Sequence, residues 1–295
     1  MGVDANSLRF LAEAARGGVD FTRTLTLGRQ NFYRLDPALL HQGLSRAGFP
    51  LTLATAHEIF QRHGVYADEL FRFLGARSLA STDVSDYEQA TYVFDMNRPS
   101  PLELNGAFTT VVDGGSLEHI FNNPQAMANC MNMLAVGGHF IGLTPANNYF
   151  GHGFYQFSAE LFFRVFDAPN GFVTERMVLV EDDQSGKDWF DVTDPAQAKE
   201  RVTLTSAAQS QLFIIARKVE QRTPFSTPPY QSDYVVRWAA EGGGAQVVGK
   251  PTFAARARPV IGRLAPQRAK NWLRSKLFPG PRTRPDLFRP CHTDG

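Results

Sequence analysis

Side chains that could hold and activate a small molecule are concentrated in the segment "PANNYFGHGFYQFS", residues 145–158. It follows the apolar run "GGHFIGLTP", which predicts a buried strand, so it is a loop at that strand's carboxyl end. Because histidine titrates near neutral pH, His152 could remove a proton from an acceptor hydroxyl or amine. Asn148 and Tyr155 are predicted to bind that acceptor. The alternative is a structural turn with an incidental histidine.

Acidic residues end three other predicted strands. "RSLASTD" ends at Asp83, "ATYVFDMN" ends near Asp95, and "FTTVVD" ends at Asp113. Ligands of open α/β sheets bind outside the carboxyl ends of the strands, so we expect these acids to lie near one site. An acid after the second strand can accept hydrogen bonds from both ribose hydroxyls, which favours Asp83, with Asp86 as the alternative.

The order of elements predicts the α/β fold class. Strands alternate with helices along the chain, which indicates a Rossmann-like, seven-stranded, mostly parallel sheet with helices on both faces. About fifty residues separate Gly28 from the second strand, which predicts a helical insert at about 31–75. A Pro-rich linker follows residue 220. We therefore predict a domain at 1–220, and a linker with a basic C-terminal extension at 221–295.

Composition narrows the class of protein. The 295 residues carry a formal net charge of +1, which gives no global attraction to nucleic acid, and no sequence-specific nucleic-acid binding is predicted. The cysteines, Cys130 and Cys291, lack metal-ligand spacing, and no metal is expected. No apolar run approaches the roughly 20 residues that span a bilayer, and the first residues lack a signal-peptide pattern, so a cytoplasmic location is predicted.

The C-terminal extension is strongly basic. Eleven Lys or Arg residues lie between Lys250 and Arg289, against one acid, Asp286. This pattern is typical first of a solvated arm, and second of a weak, salt-sensitive contact with an anionic surface. No oligomeric state is predicted.

Several motifs resemble the class I S-adenosylmethionine-dependent methyltransferases. They are "SDYE", "FDMN" and "VVDGGSLEHIFNNP…MLAVGGHFIGLTP". More narrowly, "SDYE", "DGGSLEHIFN" and "PANNYFGHGFYQFS" are similar to an uncharacterised bacterial branch of that family. The resemblance covers roughly residues 22–220. It implies S-adenosylmethionine as cofactor and methyl transfer to an unidentified small-molecule or saccharide-like acceptor.

The resemblance also implies roles for single residues. Asp95 would bond the adenine amino group, and the alternative is an ordinary turn acid. Glu118 and His119 would contact the substrate, and their alternatives are a capping acid and a packed histidine. The remaining cofactor-binding residues would be Gly28, Asp113, Gly114 and Gly115, the last two alternatively forming only a tight turn.

The glycine-rich loop of the family is degraded here. The family has an acidic residue followed by Gly-x-Gly-x-Gly, whereas the matching stretch is "TLGRQNF". Thr26 replaces the acid, and Gln30 and Phe32 replace the second and third glycines. Since glycine lets the backbone approach a ligand closely, both side chains are predicted to crowd the methionine end of the cofactor. The alternative function is a non-catalytic member of the fold that binds another ligand or a partner.

Overall fold

A nine-stranded sheet forms the centre of the protein in the computed structural model, which describes residues 2–181, 189–199, 201–204, 206, 208–240 and the backbone of 288–290. The strands are β1 (Gly2–Val3), β2 (Arg23–Leu27), β3 (Asn31–Phe32), β4 (Ser78–Asp83), β5 (Tyr92–Val93), β6 (Phe108–Asp113), β7 (Leu134–Asn147), β8 (Phe172–Glu181), β9 (Trp189–Val192), β10 (Ser210–Lys218) and β11 (Phe288–Pro290). The large sheet has the order β11-β9-β8-β10-β7-β6-β2-β4-β5, and β1 pairs with β3 separately.

The predicted fold class is confirmed. The five strands β5, β4, β2, β6 and β7 pair in parallel, whereas β10 is antiparallel to both β7 and β8. All seven predicted strands lie in the sheet. The count of seven is too low, because β9 pairs with β8 and β11 pairs with β9 at the far edge.

Helices cover both faces of the sheet. They are α1 (Ala5–Arg16), α2 (Pro37–Arg46), α3 (Leu53–Gln61), α4 (Asp68–Phe73), α5 (Asn123–Met133), α6 (Ala159–Val165), α7 (Pro195–Ala198) and α8 (Ser232–Ala240). Residues of α5 and α6 belong to one buried apolar cluster, and residues of α1 to α4 belong to the other. Successive side chains of β6 point to opposite faces of the sheet, so the strand contributes to both clusters: Val111 lies in the first and Val112 in the second.

Capping residues define where the helices begin. Asp36 accepts a hydrogen bond from the Leu39 amide at 2.8 Å and Pro37 opens α2. Helix α1 is capped by Asp4, which accepts from the Ser7 amide at 2.8 Å. Helices α2 to α4 form the predicted insert, and they pack with α1 in the second apolar cluster.

Residues beyond the predicted boundary at 220 contact the domain. Ser232, at the start of α8, donates from its amide to Glu160 of α6 at 2.7 Å. The Phe225 amide donates to Asn170 at 2.8 Å, and Arg201 donates to Asp233. The boundary stays a prediction, and the basic extension before residue 288 lies outside the described residues. Within the described part of the chain, no helix is long and apolar enough to cross a membrane.

Lys218 joins the end of β10 to the end of α5. Its ammonium is buried and donates to the carbonyls of Met131 at 2.8 Å and Leu134 at 2.7 Å. Burial lowers the pKa of Lys218 to about 8. The helix carbonyls at this end have no partner within the helix, so the lysine satisfies part of that need.

Stability should therefore rise with pH through Lys218. Above about pH 8 the folded protein releases this proton, whereas an unfolded lysine holds it to about pH 10.4, so the unfolded state binds more protons in that window. We expect the unfolding free energy of the wild type, relative to Lys218→Met, to rise by roughly 1–2 kcal/mol between about pH 7.5 and 9.5. Urea denaturation of both proteins at several pH values measures this difference, and a difference independent of pH would contradict it.

Candidate active site

The carboxyl ends of β2, β4 and β6 are tied together by backbone and side-chain hydrogen bonds. The Gly28 amide donates to the Thr82 carbonyl at 2.8 Å, and the Ser116 hydroxyl donates to the Leu27 carbonyl at 2.8 Å. Gly28 has a φ of 69°, a conformation that favours glycine. These contacts place the loop after β2 beside the turn that follows β6.

A cavity of about 390 Å³ and one of about 360 Å³ open at this edge of the sheet. The smaller, which we call the strand-end cavity, contains the predicted cofactor residues Gly28, Asp83, Asp95 and Gly115, together with His119. The structure thus brings together residues that the chain separates by up to about ninety positions. Strand ends of a parallel sheet meet at one edge, which is the physical reason.

Asp83 and Asp95 lie in this cavity in different ways. Asp83 is the last residue of β4, and its carboxylate accepts from the Ser85 amide at 3.3 Å. The Asp95 carboxylate accepts from the side chain of Asn97 at 2.7 Å and from its amide at 2.9 Å, and these bonds lower the pKa of Asp95. Asp95 is therefore both a turn acid and a cavity residue.

Asp113 lines neither cavity, so the predicted direct contact with a cofactor is wrong. Its carboxylate is fully buried and accepts from the Ser116 amide at 2.7 Å and the Leu117 amide at 3.2 Å. Burial raises the pKa of Asp113 to about 6, against the opposing effect of these amides. Its role is to fix the turn through Gly114 and Gly115.

The larger, or loop, cavity reaches the same turn. Gly114 lines the loop cavity and the next residue, Gly115, lines the strand-end cavity. The loop cavity contains the predicted residues Asn148 and His152, with Tyr149 beside them. Asn148 has a φ of 63° and donates to the carbonyls of Ser206 and Ala208, which fixes the loop after β7.

A close backbone approach holds His152 over Glu118. The Phe154 amide donates to the Glu118 carbonyl at 2.7 Å, and a Cβ added at Gly153 would lie only 2.7 Å from the same oxygen. Gly153 also has a φ of 70°, so glycine is required here on two grounds. As a result, His152 Nε2 lies 3.5 Å from Glu118 Oε1, and the His152 ring is 4.9 Å from the ring of His119.

Glu118 lies beneath both histidines and lines neither cavity. Its side chain is 0% exposed, and neither carboxylate oxygen has a hydrogen-bond partner among the described residues. Burial, and then the nearby carboxylate of Asp113, raise the pKa of Glu118 to about 9. Burial and then His152 lower the pKa of His119. The predicted contact of Glu118 with a substrate is therefore corrected to a contact with the two histidines.

Of the two side chains that replace glycine in the first loop, only Gln30 lies at the site. It is buried, its amide donates to the Leu27 carbonyl at 2.8 Å, and it lines the strand-end cavity. A Cβ added at Gly114 would be 2.0 Å from Gln30 Oε1, so Gln30 fills the space above the turn. Phe32 stacks on Phe60 of the insert at 4.8 Å, and the prediction that it crowds the cofactor is wrong.

Other parts of the site also differ from expectation. Tyr155 lines neither cavity, because its hydroxyl donates to the Phe121 carbonyl at 2.6 Å. The loop cavity contains residues that sequence analysis missed: Gly2, Asp4, Ser7, Tyr33, Arg34, Leu143, Gly151, Gln209 and Gln211. They come from the first residues of the chain, the loop after β3, strand β7 with its following loop, and β10 with the residue before it. Apart from Leu143 and Gly151, which lie near His152 in the sequence, no local pattern links them to that histidine.

No protein-family model and no curated protein matches the chain. Among solved structures, it is similar to a geranyl diphosphate methyltransferase in complex with S-adenosylmethionine, with 15% identity, 73% of this chain and 85% of that chain covered, and a TM-score of 0.38. A putative methyltransferase from Bacillus halodurans has 11% identity over 74% of this chain and 100% of that chain, with a TM-score of 0.40.

A third similar structure is the 1,6-didemethyltoxoflavin-N1-methyltransferase of Burkholderia thailandensis, with bound S-adenosylhomocysteine. It has 12% identity, with 73% of this chain and 80% of that chain covered, and a TM-score of 0.40. These identities and TM-scores are low, so the function proposed below depends on the geometry of the two cavities.

Proposed function

We propose that this protein transfers a methyl group from S-adenosylmethionine to a small acceptor that carries a hydroxyl or an amine, such as a saccharide-like molecule. One observation carries the proposal. The strand-end cavity contains carboxylates suited to a nucleoside, the loop cavity contains a histidine, and consecutive residues of one turn, Gly114 and Gly115, line the two cavities. A donor in the first cavity would therefore meet an acceptor in the second.

The strand-end cavity suits a nucleoside cofactor. Asp83, at the end of β4, is placed to accept hydrogen bonds from ribose hydroxyls, as acids at this position do in many nucleotide sites. Asp95 lies in the same cavity, where the family resemblance places the adenine amino group. The methionine end would then extend towards Gly28 and Gln30.

The loop cavity would hold the acceptor. The acceptor oxygen or nitrogen attacks the methyl carbon, the bond from carbon to the sulfonium sulfur breaks, and S-adenosylhomocysteine leaves as a neutral thioether. The acceptor's proton passes to His152, which lines this cavity. Since the donor is already activated, alignment of the two reactants and removal of one proton are what the protein must supply.

A non-catalytic role is the second candidate, and Gln30 is the observation that favours it. The buried side chain fills space above Gly114 that a cofactor with its methionine end in this turn would need. Calorimetry with S-adenosylmethionine and S-adenosylhomocysteine separates the two candidates. Saturable binding of both supports the enzyme, whereas no heat at millimolar ligand would contradict it.

Removal of the Gln30 side chain should strengthen cofactor binding. We expect Gln30→Gly to bind S-adenosylhomocysteine several-fold more tightly than the wild type, because the space above Gly114 is then open. The glycine costs roughly 0.5–1 kcal/mol of backbone entropy, so thermal unfolding must be measured beside affinity. Phe32→Leu is the control, since Phe32 packs on the insert and should not change affinity. A folded Gln30→Gly variant that binds no better would exclude crowding as the obstacle.

A further inference from the structure

Three potential metal ligands converge at the buried carboxylate of Glu118. Glu118 Oε1 is 3.5 Å from His152 Nε2 and 3.9 Å from His119 Nε2, and the ligand atoms of the three residues lie within 4.8 Å of one another. The two glutamate oxygens and His152 Nε2 are buried, and none has a hydrogen-bond partner among the described residues. Buried polar atoms are nearly always paired, so this set requires an explanation.

We propose that Glu118, His119 and His152 bind one divalent transition-metal ion. Two imidazole nitrogens with one carboxylate oxygen suit Zn²⁺, Fe²⁺, Co²⁺ or Ni²⁺ better than Mg²⁺ or Ca²⁺, which prefer oxygen ligands. Zn²⁺ lies about 2.0–2.2 Å from such atoms, so tetrahedral ligands are roughly 3.3–3.6 Å apart. The distance from Glu118 to His152 meets that spacing, whereas His119 Nε2 lies 3.9 Å from Glu118 and must move closer for all three atoms to hold one ion.

A proton shared between Glu118 and His152 is the competing explanation. It would account for one short distance, but it gives no reason for His119 to direct a third donor atom at the same carboxylate. An ion can also reach the cluster from solvent. The side chains of His119 and His152 are 48% and 37% exposed, and they open on different cavities, while Glu118 closes the buried side.

Three protein ligands leave coordination positions for an oxygen of another molecule, as in catalytic metal sites. His152 lines the loop cavity, so the acceptor is the molecule that would reach the ion, a consequence that rests on the proposed function. With the ion bound, His152 is a ligand and the ion holds the acceptor oxygen. Without the ion, the same histidine is available as the base. The metal content thus decides how an acceptor is held.

Titration of the full-length protein with Co²⁺, after removal of metals with a chelator, tests the site. We expect one ion per chain, with the visible absorption of a four- or five-coordinate Co²⁺ ion, and its displacement by Zn²⁺. His119→Gln and Glu118→Gln should each weaken binding 100-fold or more. His119→Gln keeps the test decisive if Glu118→Gln does not fold, because His119 is half exposed.

His63→Gln is the matched control. His63 also lies beside a carboxylate, at 2.9 Å from Glu69, whose side chain is 15% exposed, but it has no second histidine there among the described residues and should leave Co²⁺ affinity unchanged. Absence of stoichiometric binding, equal affinity of wild type and His119→Gln, or saturation by Mg²⁺ but not Co²⁺ would each overturn the proposal. Co²⁺ binding without S-adenosylmethionine binding would support the metal site and contradict the methyl-transfer proposal. S-adenosylmethionine binding without Co²⁺ binding would overturn the metal site and leave the methyl-transfer proposal standing.

Discussion

A His152→Gln variant should lose methyl transfer by about 10²–10⁴-fold, the usual contribution of a positioned general base. The loss should appear in kcat, because glutamine keeps a polar side chain in the loop cavity but cannot take the acceptor's proton at neutral pH. Affinity for S-adenosylmethionine should be unchanged, since His152 does not line the strand-end cavity. Release of S-adenosylhomocysteine, with a panel of hydroxyl- and amine-bearing acceptors and small saccharides, measures the rate.

Tyr155→Phe provides the control for that experiment. Tyr155 lies in the same loop, but its hydroxyl bonds to the Phe121 carbonyl and lines neither cavity. Its removal should change stability slightly and activity little. The pair of variants therefore separates loss of a base from a general disturbance of the loop. If His152→Gln retained activity within threefold of the wild type, the proton would have to leave by another route and His152 would not be the base.

The fold was predictable because its signals are local. Alternation of apolar residues along β8 and β10, and capping at Asp36, are properties of a few neighbouring residues. Part of the site was predictable from the fold, because the carboxyl ends of parallel strands lie at one edge of the sheet. Asp83 and Asp95 were placed together on this ground, and both line the strand-end cavity.

What sequence analysis missed depends on contacts between distant residues. Gln30 and Phe32 are two positions apart in one loop, yet Gln30 turns inward above Gly114 and Phe32 turns outward onto Phe60. Phe60 of helix α3 decides the second outcome, and the predicted helical insert did not show which of its residues would contact this loop. The burial of Glu118 likewise depends on the approach of Gly153 from the loop after β7, about 35 residues later.

Asp113 shows a further reason why the role of a site residue could not be predicted from the sequence. The sequence correctly placed it at the end of a strand, like Asp83, but the two acids then diverge. The amides of Ser116 and Leu117 both donate to one carboxylate oxygen of Asp113. Among the described residues, the Asp83 carboxylate accepts only from the Ser85 amide, at 3.3 Å. The difference comes from the turn that follows each strand, and a carboxylate that holds its own turn has less to offer a ligand.

Asp83→Ala should weaken the binding of S-adenosylhomocysteine by about 1–3 kcal/mol, the range for a lost hydrogen-bonding partner that is charged. At about 1.4 kcal/mol per tenfold, that corresponds to a rise in Kd of roughly 5–150-fold, measurable by calorimetry. Stability should change little, since within the described part of the chain the Asp83 side chain makes one long hydrogen bond, to Ser85.

Asp86→Ala is the control, because Asp86 follows three residues later, is exposed and does not line the strand-end cavity. The sequence also offered Asp86 as the alternative ribose ligand, so comparing the affinities of the two variants decides which acid binds the ribose. Equal affinity of a folded Asp83→Ala variant and the wild type would remove Asp83 from the cofactor site. A loss confined to Asp86→Ala would instead require the turn after β4 to rearrange on binding, because only then could the exposed carboxylate reach a ribose in this cavity.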